Sequence, residues 1–132
     1  MGSFNYKGNT KSYNSISDNL QKTKDLYSFN NGYFGIIGKS GQKDIRQINC
    51  LDPIYESKKF YDTLTNGGIE ETISNDKGLK TIMKDGSIIT YRIITSTDRS
   101  PAVDINIKNS NNTGGINRQK IHFEMEKNND YK

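Results

Sequence analysis

The stretch GLKTIMKDGSIITYRII, Gly78 to Ile94, decides the fold class. Two strand-like runs flank Asp85-Gly86, a pair suited to a tight hairpin turn. On the second run Ile89, Tyr91 and Ile93 alternate with Thr90, Arg92 and Ile94, and successive strand side chains point to opposite faces. Downstream, PAVDINIKN sets Val103, Ile105 and Ile107 against Asp104, Asn106 and Lys108. The segment RQKIHFE, Arg118 to Glu124, repeats the pattern: Gln119, Ile121, Phe123 and the following Met125 form a core side, and Arg118, Lys120, His122 and Glu124 a polar one. Four strands with polar connections are predicted.

Upstream of the hairpin, LDPIYESKKFYDTLTNGG predicts the best helix. Asp52 is placed to cap it, Pro53 fits the first turn, and Gly67 or Gly68 fits the stop. Ile54, Phe60, Tyr61 and Leu64 give it an apolar side. A weaker helix is read in SDNLQKTKDLYSF, with Ser17 or Asp18 as cap and Leu20, Leu26 and Tyr27 as a thin apolar stripe. Between them, NNGYFGIIGKSGQ is glycine-rich and suits a loop or short strand. No Walker lysine-serine pair or dinucleotide spacing follows it.

The order of elements implies an α+β protein, with N-terminal helices packed on one face of a twisted antiparallel sheet of about four or five strands. The opposite sheet face is expected to stay open. Residues 1–50 are expected to form a partly flexible helical and loop portion of the same domain, and residues 51–132 its helix-plus-sheet core.

Composition narrows the function classes. The chain has 132 residues, 31% of them hydrophobic, and its mean hydropathy is −0.86. That is the size of one domain with scarce apolar material. Lys and Arg exceed Asp and Glu by 19 to 15, a net charge of +4 that favours anionic partners without naming one. Cys50 is the sole cysteine and His122 the sole histidine, so an intramolecular disulfide, a cysteine-rich zinc site and a multi-histidine metal site are excluded. No apolar run is long enough to span a membrane, and the start MGSFNYKGN lacks the apolar core of a signal peptide.

The polar sheet face carries the candidate chemistry. If Thr90 and Arg92 share the face of His122, a titratable imidazole lies beside a guanidinium and Lys120. The loop TSTDRSP adds the hydroxyls of Thr95 and Ser96 and the charge of Arg99. Metal-free RNA cleavage needs a group to accept the 2′-hydroxyl proton, a group to protonate the leaving 5′-oxygen, and fixed positive charge around the phosphorane. Histidine titrates nearest neutral pH, and arginine and lysine supply the charge. The bland alternatives are a solvated histidine, a cross-strand charge ladder of Arg118, Lys120 and Glu124, and a structural pairing of Arg92 with Asp104 or Glu124. Cys50 fits a small buried thiol better than a nucleophile.

The ordered segments KGLKTIMKDGSIITYR, TSTDRSPAVDINI and INRQKIHFE resemble the C-terminal ribonuclease toxin domains of bacterial contact-dependent growth inhibition and other polymorphic toxin proteins, in the barnase, EndoU, colicin and RelE-like group. The resemblance covers Gly78 to Glu124 and rests on the series, with no single diagnostic motif. It implies a metal-independent endoribonuclease that cleaves tRNA with no cofactor. His122 matches the catalytic histidine of the last strand, Lys120 its basic neighbour, Arg92 the basic residue ending its strand, and Thr95 and Ser96 the hydroxyl positions. Arg99, Arg118, Tyr91 and Lys84 are the candidate substrate contacts, Tyr91 as a base-stacking ring. The resemblance also implies a monomer that meets a cognate acidic immunity protein, delivery from a secreted or cell-surface parent protein into the cytoplasm of a target bacterium, and in some relatives presentation of the tRNA by elongation factor Tu.

Two other classes compete with that expectation. A non-catalytic RNA- or protein-binding module would use the same basic face to hold phosphates or an acidic partner, giving salt-sensitive binding and intact RNA. A DNA target would be revealed by plasmid nicking.

Overall fold

A computed structural model describes residues 16–73, 77–95, 99–108 and 115–126. Its elements are α1 (Ser17–Leu26), β1 (Phe29–Asn30), β2 (Tyr33–Phe34), β3 (Ile36–Ile37), β4 (Ile45–Cys50), α2 (Pro53–Thr65), β5 (Ile69–Thr72), β6 (Gly78–Ile82), β7 (Ile88–Arg92), β8 (Ala102–Asn106) and β9 (Gln119–Met125). The fold is α+β, but the sheet is larger than expected: seven strands in the order β3-β4-β9-β8-β7-β6-β5, with β1 and β2 forming a separate pair.

The sheet is also mixed. β4 runs parallel to β9, from Ile45 beside Lys120 to Cys50 beside Met125, so the last strand lies in the interior of the sheet. Two strands of this sheet, β3 and β4, therefore come from the first fifty residues, which were expected to supply only a helical and loop portion. β4 carries no clean alternation, because Arg46 shares a face with Ile48 and Cys50. Arg46 is accommodated there by donating to the carbonyls of Phe34, Gly35 and Lys43, which fastens β4 to the preceding loops.

The hairpin forms between β6 and β7 with Ile82 opposite Ile88 and Gly78 opposite Arg92. Its loop is longer than a two-residue turn. The Met83 N–H donates to Ser87 O at 2.8 Å, the Gly86 N–H to Met83 O at 2.9 Å, and Gly86 takes φ 90°, the left-handed geometry that favours glycine.

Helix α2 starts where Asp52 accepts from the Tyr55 N–H at 3.1 Å, with Pro53 in the first turn. Its Phe60, Tyr61 and Leu64 are fully buried, but Ile54, expected on the apolar side, is 50% exposed in the first turn. Phe60 is the hub of an aromatic chain. It meets Tyr27, Phe34 and Phe123 edge-on at 5.0, 5.1 and 5.4 Å. Helix α1 packs on α2 through Leu20 and through Asn19, whose Nδ2 donates to the carbonyls of Leu64 and Asn66. It has no side-chain cap: Ile16 occupies that position in place of Ser17 or Asp18, and Leu26 points outward.

Helix α2 packs on the strands of one sheet face, made of Leu79, Ile89, Tyr91, Val103, Ile105, Ile121 and Phe123, and α1 packs on α2. Among the polar residues of that face, Gln119 is 2% exposed. Its Oε1 accepts from the Phe34 N–H at 2.8 Å, and its Nε2 donates to Gly32 O at 2.9 Å and Asn117 O at 2.7 Å. A buried amide with these bonds joins β9 to the β1–β2 loop.

Candidate functional site

Strand register lays the opposite face out as rows. Gln47, His122, Ala102, Arg92 and Gly78 lie side by side on β4, β9, β8, β7 and β6. The adjacent row is Ile45, Lys120, Asp104, Thr90, Lys80 and Glu71. Thr90 and Arg92 therefore share the face of His122. Only the methyl of Ala102 intervenes between imidazole and guanidinium, on strands whose backbones are about 10 Å apart across two ladder spacings.

At one end of this face a cleft of ≈ 720 Å³ is lined by Lys77, Arg92, Arg99 and Lys120, together with Ile93, Ile94 and Thr95. Four cations and no carboxylate line it among the described residues. Such a surface attracts phosphate, most strongly through the forked donors of arginine. Ile93 and Ile94 are 42% and 53% exposed, giving the cleft an apolar wall.

The loop beside the cleft is tied to itself and to β9. The Thr95 N–H donates to Ser100 O at 3.0 Å, the Arg99 N–H to Thr95 O at 3.2 Å, and the Phe123 N–H to Pro101 O at 2.9 Å. Arg99 adopts φ 64°, in the left-handed region that residues other than glycine seldom take. These bonds hold the Ser100 hydroxyl 2.8 Å from His122 Nδ1. A hydroxyl can accept from a protonated Nδ1 or donate to a bare one, so the contact serves either tautomer. His122 is 8% exposed and lies next to the cleft without being part of its lining.

Asp104, half-buried in the row beside His122, has its carboxyl pushed above the usual range by burial. The nearby Arg118, Lys120 and Arg92 charges pull in the other direction without cancelling that effect. Glu124 ion-pairs with Lys39 at 3.8 Å. Cys50 is buried with its thiol pushed up to about 11 by desolvation and the Glu56 charge, and it donates to Glu124 O.

Of the residues singled out from the sequence, Arg92, Lys120, Thr95 and Arg99 meet at the cleft, and His122 adjoins it. Ser96 lies outside the described residues. Tyr91 is not a base-stacking platform: it is 3% exposed on the core face, stacked on Tyr61 at 5.5 Å, with its hydroxyl bonded to Ser57. Strand alternation forces this, since Arg92 beside it takes the open face. Lys84 sits in the hairpin turn at the other end of β7 from Arg92. Arg118 precedes β9 and influences Asp104 without lining the cleft.

Sequence reasoning missed Lys77, Ser100 and the two isoleucines. Lys77 had no local signal: the β6–β7 register, with Gly78 opposite Arg92, is what brings it to the cleft. Ser100 had none, being one hydroxyl among several in its loop. Among the described residues, no group of three or more His, Cys, Asp or Glu side chains is placed to hold a metal ion, and no helix is long and apolar enough to cross a membrane. No family model, curated protein or solved structure matches this chain.

Proposed function

We propose that this chain is a metal-independent endoribonuclease acting on tRNA, as a toxin domain of interbacterial competition. The observation that carries the reading is the four-cation cleft of Lys77, Arg92, Arg99 and Lys120 beside a histidine braced by Ser100. In the proposed step the ribose 2′-oxygen attacks phosphorus and gives up its proton to a base. The bond from phosphorus to the 5′-oxygen breaks, and that oxygen takes a proton. The products are a 2′,3′-cyclic phosphate and a free 5′-hydroxyl, with no other reactant consumed. His122 performs one of the two proton transfers, and the cations neutralise the charge that grows on the non-bridging oxygens. A cognate acidic immunity protein belongs to the same reading, since complementary charge over the cleft speeds its encounter. So do delivery by a parent protein into the target cytoplasm and, as in some of the domains it resembles, help from elongation factor Tu.

A second reading is a non-catalytic RNA-binding module. It is favoured by one observation, the 8% exposure of His122 outside the cleft lining. One experiment separates the two. Wild-type and His122→Ala chains are incubated with total RNA in EDTA, with and without cell extract, and the RNA is resolved on a gel. Shortened tRNA with the wild type alone, reduced on the order of 10²-fold or more by the substitution, is the expected result. Salt-sensitive binding with intact RNA would transfer the conclusion to the binding module.

A further inference from the structure

A second hollow opens on the same side of the sheet. It measures ≈ 360 Å³ and is lined by Glu71, Thr72, Lys80 and Thr90 as well as Ile73 and Arg92. Arg92 is thus common to both hollows. Their chemistry differs. Among the described residues the larger one presents four cations, whereas in the smaller one Glu71 Oε2 holds Lys80 Nζ, its one cation besides Arg92, at 3.0 Å.

A carboxylate at that position opposes a phosphate. The Glu71–Lys80 pair instead offers an acceptor and a donor side by side, and the Thr72 and Thr90 hydroxyls can play either role. That is the complement of a base edge or of ribose hydroxyls. Both volumes fall in the range of roughly 300 to 1,000 Å³ usual for small-ligand sites. The hollows are side by side across the strands: Lys80 and Arg92 stand on β6 and β7, adjacent strands about 4.8 Å apart.

We infer that the smaller hollow is a nucleoside subsite flanking the phosphate bound in the larger one, so that this face takes a polynucleotide strand laid across β9, β8, β7 and β6. This rests on the ribonuclease reading and extends it: Arg92 bridges the two subsites, and Glu71 with Lys80 reads the flanking base. An inorganic phosphate would fill only the larger hollow.

The test uses short RNA strands that are intact or carry an abasic nucleotide at single positions. Each is titrated by fluorescence anisotropy against the His122→Ala chain with and without Glu71→Gln, which lies on an exposed side chain. Removing the flanking base is expected to weaken binding by about tenfold, as is Glu71→Gln on the intact strand, the size expected for a hydrogen bond to a charged group. Making both changes should cost no more than either one. Equal affinity for intact and abasic strands, or fully additive losses, would overturn the subsite. Lys80→Ala repeats the measurement from the other member of the pair. Cleavage of the intact strands by the wild type is scored in parallel, and its absence counts against the ribonuclease reading alone.

Discussion

Ser100 Oγ and His122 Nδ1, 22 residues apart in sequence, meet at 2.8 Å in a buried contact. The serine is anchored by its carbonyl to the Thr95 N–H and the histidine stands on an interior strand, so neither is free to drift from the other. Such a contact fixes the orientation of an imidazole that must transfer a proton.

Replacing Ser100 by Ala should therefore lower kcat for RNA cleavage while leaving KM nearly unchanged. A buried hydrogen bond contributes about 1 kcal/mol, which corresponds to roughly fivefold in rate. Ser100→Thr retains the hydroxyl and should restore most of the loss. A fall in both variants together, matched by a fall in melting temperature, would assign Ser100 to stability only.

The cleft cations make a separate prediction about salt. Single-stranded nucleic acid binding weakens with log salt by about 0.7 per phosphate neutralised, so four contacts predict a slope between about 2 and 3. In the His122→Ala background, Arg92→Ala with Lys120→Ala should reduce that slope by about 1.4. Titrations of an RNA strand from low to moderate salt measure it, and an unchanged slope would remove these side chains from the interface.

Asp104 links the site to pH-dependent stability. Burial raises its carboxyl above the usual value, so the folded chain holds this proton more tightly than the unfolded chain does. Its contribution is then least favourable above the folded value and is relieved as pH falls toward the unfolded value of about 3.9. Asp104→Asn should raise the melting temperature at neutral pH, by an amount that shrinks on acidification. A variant less stable than wild type at pH 7 would show that Arg118, Lys120 and Arg92 outweigh the burial.

Gln119 offers a test of the core. Gln119→Leu leaves the Phe34 N–H and the carbonyls of Gly32 and Asn117 without their partner. Each unsatisfied buried group costs about 1 to 3 kcal/mol, so the variant should lose at least about 2 kcal/mol in a urea melt in spite of its greater hydrophobicity. A neutral result would mean that water reaches those groups.

The sequence by itself determined what depends on neighbours along the chain. Alternation in β7, β8 and β9 divided the side chains of each strand between two faces, because the pleat leaves no other choice, but whether Arg92 and His122 share a face was settled by the register through Ala102. The same alternation turned Tyr91 inward, against its use as a base platform. Asp52 and Pro53 marked the start of α2 through local backbone chemistry, and Asp85-Gly86 marked the hairpin.

Tertiary structure decided which strands became neighbours. β4 lies parallel to β9, with Cys50 bonded to the carbonyl of Glu124 across 74 residues, and no local pattern in IRQINC announces it. β5, the short acidic IEET, extends the far edge for the same reason: pairing with β6 and not periodicity makes it a strand. The meeting of Ser100 with His122 and the convergence of Lys77, Arg92, Arg99 and Lys120 are likewise products of register and loop closure. Period two fixes a side chain's face, and only the packed sheet fixes what stands beside it.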